Sequence, residues 1–366
     1  MLSDHRSSPL LATCVAVGMS GAAFAQAPPP RPTAAADGTV AVPAFNMPFS
    51  SLASEAARRS YVEEHSPAFY ASPVAQMFKL PISEQRAILD EQYLAPRIAR
   101  ARAVYPVTIT PRTIQGVYTE VIEPADGVPK AHAKRVLINL HGGGFVMGAR
   151  TNGQLESIPV AGLGKIRVIS VDYRQGPENH FPAASEDVAT VYRELLKEYR
   201  PEQIGIYGCS AGGMLAAQAM AWFQKVALPR PGAIGIFCAS AGNVGQGDSH
   251  FTAPVLNAQP PPPARVGSGL EFLPYFKGVD ANDPLVSPVR DPAVLARFPP
   301  TLLITATRDF AMSSALDTHR ALVRANVEAD LHVFDGLQHF FFGDVDLPES
   351  KDAFQVMVNF FDKHLK

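Results

Sequence analysis

The sequence predicts an α/β fold in which a mostly parallel sheet carries helices on both of its faces. Apolar runs such as 136–140 are continuous, as buried parallel strands require. These runs alternate with helical patterns of ten or more residues, which is typical of βαβ units. The chain has 366 residues, of which 47% are hydrophobic and 18% charged, enough apolar material for one large core. A length near 350 often indicates two domains, but large α/β folds reach it as one unit.

The elements are predicted in order from the hydrophobic period and from the prolines that interrupt it. Helical patterning over 50–103 is broken by prolines, which leaves helices at 52–64 and 83–102, the second with Ser83 as N-cap. An alternating pattern over 114–122 predicts a strand. Further strands are predicted at 136–140, 166–171, 204–207, 233–237, 301–306 and 330–334, and helices at 183–199, 211–226, 313–325 and 351–365.

Residues 243–283 break this alternation. They contain the proline run 259–263 and the glycines Gly267 and Gly269. A compact domain rarely carries so long an irregular segment unless the segment is functional. We therefore interpret it as an excursion over the sheet that forms part of a cap.

The N-terminus has the pattern of a secretory signal over 1–25. Arg6 is followed by an uncharged stretch at 9–24, and Ala23-Phe24-Ala25 fits the small-x-small cleavage rule. A membrane anchor is the alternative, but the stretch is shorter than the ~20 residues of a spanning helix. The Pro/Ala-rich residues 26–48 are predicted to be a solvated tether. The mature protein is thus expected in the periplasm or outside the cell, without stable membrane insertion.

The charge balance disfavours several classes of partner. Lys and Arg total 32 and Asp and Glu total 34, a formal net charge of −2. Such a balance provides no field that would attract nucleic acid or an anionic membrane surface. Three cysteines are too few for a disulfide scaffold. Removal of the signal leaves Cys209 and Cys238, which are expected to be buried thiols, with a disulfide as the alternative.

The first chemical motif is Gly208-Cys209-Ser210-Ala211-Gly212. The G-x-S-x-G pattern alone is weak, but here a buried strand precedes it and an apolar helix follows it. A serine in this context lies on a tight strand-to-helix turn, where the flanking glycines lack Cβ atoms that would collide. Ser210 is therefore predicted to be a nucleophile at a helix N-terminus, the alternative being an inert serine in a glycine-rich turn.

The second motif is His141-Gly142-Gly143-Gly144, which directly follows the predicted strand 136–140. Three glycines allow backbone N–H groups to face a substrate oxyanion. Gly143 and Gly144 are the expected donors, joined by the N–H of Ala211. A phosphate loop is disfavoured because the Lys-Ser/Thr and GxGxxG patterns are missing, and a simple tight turn stays the alternative. His141 is expected to brace the loop.

The third prediction concerns an acid and a base for the serine. A serine hydroxyl needs a base, and the base needs an orienting carboxylate. Asp309 follows the predicted strand 301–306 and His339 follows 330–334, so both belong to the same sheet edge as Ser210. Rival groups are less well placed: His332 within a strand, Asp335 at the start of a turn and Asp317 inside a helix.

Taken together, these motifs resemble those of the hormone-sensitive-lipase-like family of α/β-hydrolase esterases, in which the chain order is also Ser, Asp, His. The resemblance runs from about residue 50 to the end. It is carried by HGGGF at 141–145, Asp172-Tyr-Arg-Gln-Gly-Pro-Glu178, Phe181-Pro-Ala-Ala184, GCSAGG at 208–213, Asp283-Pro-Leu-Val-Ser-Pro288, Thr307-Arg-Asp309 and Gly336-Leu-Gln-His339.

The resemblance implies an α/β-hydrolase fold with an eight-stranded sheet. It implies N-terminal cap helices over 49–105 and a catalytic domain over 106–366, with 243–283 as a cap insertion. It also implies a Ser210, Asp309 and His339 triad, with Gly143, Gly144 and Ala211 as oxyanion donors. Members hydrolyse carboxylic esters and need no cofactor or metal, so a small-molecule ester is the expected substrate.

The chain departs from the family pattern at two positions. Cys209 stands where the family usually has Asp before the serine, and Gly176 stands where it usually has Ala. Glu178 and Asp187 are interpreted as framework hydrogen-bonding residues. Aromatic side chains of the cap are candidates to line an apolar substrate pocket, with ordinary packing within the cap as the equal alternative for each: Phe69, Tyr70, Phe272, Tyr275 and Phe276.

Short- to medium-chain esters are the predicted substrates. Hydrolysis of a specialised ester, a lactone or an amide by the same groups is the alternative. A non-catalytic small-molecule receptor is a second one, but such receptors usually lack the serine or the histidine, and both are present here.

Overall fold

The structure is a computed structural model that describes residues 32–243, 245–263 and 269–366. The predicted signal peptide over 1–25 lies outside the described residues, as does the start of the predicted tether over 26–48. Residues 32–47 belong to a small unit of their own, in which Ala34 and Val40 form an isolated bridge around a turn at Asp37 and Gly38. Everything described below lies in the second unit, Pro48–Lys366.

One eight-stranded sheet organises this unit. Its strands are β1 (Val107–Ile114), β2 (Val117–Pro124), β3 (Val136–Leu140), β4 (Arg167–Val171), β5 (Ile204–Cys209), β6 (Ala233–Phe237), β7 (Thr301–Arg308) and β8 (Ala329–Gln338). The spatial order is β1-β2-β4-β3-β5-β6-β7-β8. The strands from β4 to β8 pair in parallel, whereas β1–β2 and β2–β4 are antiparallel. The α/β-hydrolase architecture expected from the sequence is confirmed.

Helices cover both faces of the sheet. They are α1 (Glu55–Glu64), α2 (Pro67–Tyr70), α3 (Pro73–Gln76), α4 (Ile82–Ile88), α5 (Ala95–Val104), α6 (Thr151–Gly164), α7 (Ala183–Leu195), α8 (Ala211–Lys225), α9 (Asp248–Leu256), α10 (Pro292–Leu295), α11 (Met312–Arg324) and α12 (Pro348–His364). Successive residues of a strand point to opposite faces, so Ile138 joins one core cluster and Leu137 the other. No helix among the described residues combines the length and the apolar character needed to cross a bilayer.

The sheet begins with a hairpin that the sequence prediction missed. A single strand was expected over 114–122, but β1 ends at Ile114 and β2 begins at Val117. Gln115 and Gly116 between them both have positive φ, 48° and 88°. A two-residue turn of this kind matches the right-handed twist of paired strands, so the chain reverses direction here.

The predicted helix over 83–102 is interrupted. A π-helical turn at Leu89–Leu94 separates α4 from α5, and the N–H of Ala95 donates to Asp90 O, five residues back. Pro96 follows at once; it has no N–H, and its ring would clash with the carbonyl four residues earlier in a regular helix. The expected N-cap at Ser83 is also wrong, because α4 begins at Ile82 with Pro81 in the capping position.

The last strand, β8, is longer than predicted. The expectation was a strand ending at residue 334, with Asp335 starting a turn. Instead β8 continues to Gln338, with a register irregularity where Arg308 pairs with Gln338. Gly336, with φ of 77°, supplies the backbone conformation that the irregularity needs. The strand therefore delivers its next residue, His339, directly to the sheet edge.

Candidate active site

Ser210 lies on the tight turn between β5 and α8. Its backbone has φ 55° and ψ −122°, a conformation that residues other than glycine rarely adopt. A Cβ on either Gly208 or Gly212 would overlap the carbonyl oxygen of Leu140 on the neighbouring strand. Only glycine fits at both flanks, so the turn can hold the serine close to the end of β3.

The loop after β3 is held by an aromatic stack. The rings of His141 and Tyr173 lie 4.2 Å apart and nearly parallel, and the Tyr173 hydroxyl donates to His141 O at 2.6 Å. The His141 Nδ1 lies 2.7 Å from Gly142 O, to which it can donate. Burial lowers the pKa of His141, which favours the neutral ring. These contacts fix the path of the backbone into the following glycines.

The next two glycines present free amides. Gly143 and Gly144 have φ of 115° and 62°, and a Cβ on Gly143 would overlap Met147 O. Within the described part of the chain, no carbonyl or side chain accepts a hydrogen bond from either N–H. Ala211 is the first residue of α8, so its N–H has no partner within the helix. These amides can receive a developing negative charge.

Asp309 and His339 are brought together by the ends of β7 and β8. His339 Nδ1 lies 2.7 Å from Asp309 Oδ1. The same carboxylate accepts from the Thr305 hydroxyl and the Ala311 N–H, both at 2.9 Å. Burial alone would raise the pKa of Asp309, yet the adjacent His339 and these donors hold it below its ordinary value. Because Nδ1 of His339 is engaged, Nε2 is the ring nitrogen available for a proton from elsewhere.

Ser210, His339, Gly143 and Gly144 all line one cavity of about 630 Å³. No Asp, Glu, Lys or Arg is among the described residues that line it. Most of its wall is apolar: Met77, Phe78, Ile82, Leu89, Leu94, Val146, Met147, Phe272, Leu273, Pro274 and Phe310. The cavity thus has room for an uncharged molecule. Around it lie the Ser210 hydroxyl, the Gly143 and Gly144 amides, and the His339 imidazole, which is bonded to the buried carboxylate of Asp309.

Comparison with known proteins identifies the family of the chain. A family profile described as alpha/beta hydrolase fold matches residues 137–343. An esterase E25 of known structure is 30% identical, with a TM-score of 0.75 over 89% of this chain and 99% of its own. The chain belongs to the hormone-sensitive-lipase-like α/β-hydrolase esterases. An esterase described as belonging to the bacterial hormone-sensitive lipase family is 25% identical, with a TM-score of 0.68 over 80% of this chain and 96% of its own.

The sequence of this esterase is also similar to those of two curated hydrolases. An ethyl acetate hydrolase of Pseudomonas putida is 27% identical over 310 residues, 79% of this chain and 92% of that protein. An acetyl-hydrolase of Streptomyces hygroscopicus is 27% identical over 232 residues, 62% of this chain and 75% of that protein.

The cap aromatics of the esterase divide into two groups. Phe272 lines the cavity, whereas Phe69 and Tyr70 do not. Tyr275 and Phe276 are buried in the core, where Tyr275 stacks on Phe145 with ring centroids 5.0 Å apart. Phe272 therefore lines the pocket, whereas Tyr275 and Phe276 follow the alternative of ordinary packing, because the 3₁₀ turn at Pro274–Phe276 directs their rings inward.

The rival acid and base groups lie away from the cavity wall. His332 on β8 and Asp317 on α11 are exposed, and Asp335 accepts a hydrogen bond from the Ser50 hydroxyl. None of the three is among the described residues that line the cavity. Asp187 is bonded to Arg174, with Nε to Oδ1 at 2.9 Å.

Arg86 links the cap to the oxyanion loop, a role that the sequence analysis did not foresee. Its Nε donates to Val146 O at 2.7 Å, and one terminal nitrogen donates to Gly176 O at 2.9 Å. Both terminal nitrogens also bind Glu178, at 2.7 and 2.8 Å, and this pairing lowers the pKa of Glu178. The helix that carries Arg86 thereby holds its neighbours Ile82 and Leu89 against the cavity.

Cys209 and Cys238 are free and buried in this esterase. Burial is the main reason that the pKa of each thiol is raised, which keeps both protonated and unreactive. Cys238 Sγ also lies within 4.8 Å of donor atoms of Asp309 and His339, a spacing that metal ions can bridge. Asp309 and His339 are instead bonded directly to each other, through Oδ1 and Nδ1 at 2.7 Å.

Proposed function

We propose that the esterase hydrolyses carboxylic esters through a covalent acyl-enzyme on Ser210. The Ser210 oxygen attacks the ester carbonyl carbon while His339 Nε2 takes the hydroxyl proton. Asp309 holds the imidazole tautomer and stabilises its charged form. The N–H groups of Gly143, Gly144 and Ala211 stabilise the oxyanion of the tetrahedral intermediate.

The second half of the reaction repeats these steps with water. Collapse of the intermediate breaks the bond between the carbonyl carbon and the alkoxy oxygen, and His339 returns its proton to the departing alcohol. Water then gives a proton to His339 and attacks the acyl carbon, and the carboxylic acid leaves as Ser210 regains its proton. The observation that carries the proposal is one cavity lined by Ser210, His339 and two unpaired amides.

We propose uncharged esters with short to medium acyl chains as substrates. The cavity of about 630 Å³ has room for more than an acetyl group, and its wall is largely apolar. Absence of charged residues from the described wall disfavours an acyl group that carries a carboxylate, because such a group would be desolvated without a partner. Two curated relatives are named for acetyl-ester substrates, which supports the short end of the range.

A substrate panel with an active-site label tests this proposal. We expect turnover of p-nitrophenyl acetate, butyrate and hexanoate, and a kcat/KM at least about tenfold lower for the palmitate and for a succinate half-ester. A fluorophosphonate probe should abolish activity and label the peptide that contains Ser210. Preferential turnover of lactones or amides, or labelling at another residue, would contradict the proposal.

We also propose that the chain is exported and cleaved after Ala25. The uncharged stretch at 9–24 and the Ala23-Phe24-Ala25 sequence support this, as does the Pro/Ala-rich segment that follows. Expression of the full chain in a Gram-negative host should give a periplasmic or extracellular product whose N-terminal residue is Gln26. Intact mass spectrometry of each fraction checks this, and an uncleaved, cytosolic protein would refute export.

A further inference from the structure

Glu156 on α6 connects the two segments that supply the oxyanion donors. It is 3% exposed. Its Oε1 accepts from the N–H of Gly142 at 2.8 Å, within the loop after β3. Its Oε2 accepts from the N–H of Cys209 at 3.3 Å, directly before the nucleophile. One carboxylate therefore binds the oxyanion loop with one oxygen and the serine turn with the other.

We propose that Glu156 is a positioning residue that sets the spacing between the Gly143 and Gly144 amides on one side and Ser210 and Ala211 on the other. This inference rests on the proposed function. Glu156 itself does not line the cavity. It acts through the backbone of Gly142 and Cys209, each one residue away from an active group.

The remaining contacts of Glu156 hold it in one position. Asn152 Nδ2 donates to Oε1 at 3.1 Å, and Asn139 Nδ2 donates to Oε2 at 2.9 Å. All four partners are N–H donors, an arrangement that fits a carboxylate with two accepting oxygens. Burial raises the pKa of Glu156, whereas the donors from Gly142, Asn139 and Cys209 act in the opposite direction. Because all four hydrogen-bond partners are donors, the ionised carboxylate is the form that these contacts fit.

Glutamine at this position cannot reproduce the bridge. Its amide has one accepting oxygen, and its NH₂ group would face two N–H donors. Whichever way the amide turned, either the Gly142 N–H or the Cys209 N–H would lose its acceptor. The shape of the side chain would be preserved, so the change isolates the hydrogen bonds from the packing.

The test compares Glu156→Gln with Glu120→Gln. Glu120 is also buried, at 6% exposed, and accepts from Gln154 Nε2 at 2.9 Å. Among the described residues its side chain bonds Gln154 and Tyr118 rather than the oxyanion loop or the serine turn, and it does not line the cavity. We expect Glu156→Gln to lower kcat for p-nitrophenyl butyrate by about 10²-fold with KM changed less than about threefold. Glu120→Gln should retain kcat within about threefold of the wild type.

The inhibition constant of a transition-state analogue distinguishes this role from a general loss of stability, which would leave that constant unchanged. A trifluoromethyl ketone adds to the serine oxygen and forms a tetrahedral oxyanion. Its inhibition constant should rise in Glu156→Gln by the same factor by which kcat/KM falls. A folded Glu156→Gln protein with wild-type kcat and wild-type inhibition would overturn the inference.

If Glu156→Gln does not fold, Glu156→Asp replaces it in the experiment. Aspartate keeps the charge but is one methylene shorter, so it cannot reach both backbone amides. A lower kcat at nearly constant KM is again expected, and a wild-type kcat would overturn the inference. An inactive wild-type protein would instead reject the proposed function, so the two failures are distinguishable.

Discussion

Replacement of Ser210 by alanine is expected to lower kcat for p-nitrophenyl butyrate by about 10⁶-fold. The change removes the oxygen that forms the acyl-enzyme and leaves water as the nucleophile. The turn itself should persist, because its geometry depends on Gly208, Gly212 and the start of α8. The measurement is steady-state kinetics on protein whose circular dichroism spectrum and melting temperature match those of the wild type.

Ser240→Ala is the matched control for this prediction. Ser240 is also buried, at 2% exposed, and its hydroxyl donates to Gly242 O at 2.8 Å. It is not among the described residues that line the cavity. Loss of activity only in Ser210→Ala would support the nucleophile, whereas a Ser210→Ala protein that retains more than about a tenth of wild-type turnover would exclude it.

Asp309→Asn is expected to lower kcat by about 10⁴-fold. The Ala311 N–H and His339 Nδ1 both bind Oδ1 of Asp309, whereas the Thr305 hydroxyl donates to Oδ2. A neutral amide cannot stabilise the imidazolium that forms when His339 takes the Ser210 proton. Where its NH₂ group takes the place of Oδ1, it also selects the tautomer with the proton on Nε2, which blocks removal of the Ser210 proton.

The control for this second prediction is Asp335→Asn. Asp335 lies on β8, near the end that carries His339, but it accepts from the Ser50 hydroxyl rather than binding His339. The kcat and the rate of fluorophosphonate labelling should both fall in Asp309→Asn, and both should stay near the wild-type values in Asp335→Asn. Equal kinetics in the two variants would show that Asp309 does not orient the imidazole.

The functional residues at the sheet edge could be predicted from the sequence, because they directly follow the carboxyl ends of parallel strands. Strands β3, β5 and β7 are largely apolar runs followed by polar or glycine-rich segments, and that change of pattern is local. The pattern is weaker in β8, where Asp330, His332 and Asp335 lie among the apolar residues. Ser210, Asp309 and His339 were named from it. That Ser210 and His339 line one cavity, with Asp309 bonded to His339, depended on the order of the strands. A family resemblance can supply that order, and a local pattern cannot.

The sequence analysis missed α6 and therefore Glu156. This helix contains Pro159 and is buried on nearly all sides, so it has no polar face to reveal a helical period. A buried glutamate within it has no local signature either, because its four donors come from separate segments of the chain. The hairpin at Gln115 and Gly116 was missed for a related reason, since its turn lacks the Asn-Gly or Asp-Gly signal.

The contacts of Arg86 have a consequence for engineering of this esterase. The Arg86 guanidinium joins the helix that carries Ile82 to Val146 O, in the loop that also holds the Gly143 and Gly144 amides, and to Gly176 O. Grafting a foreign lid in place of α4 would remove that anchor and disturb turnover together with selectivity. Libraries aimed at new selectivity are better directed to Phe272, which lines the same cavity and takes no part in the hydrogen bonds of Arg86. Phe310 is better left unchanged, because its ring stacks on that of His339 with centroids 4.5 Å apart.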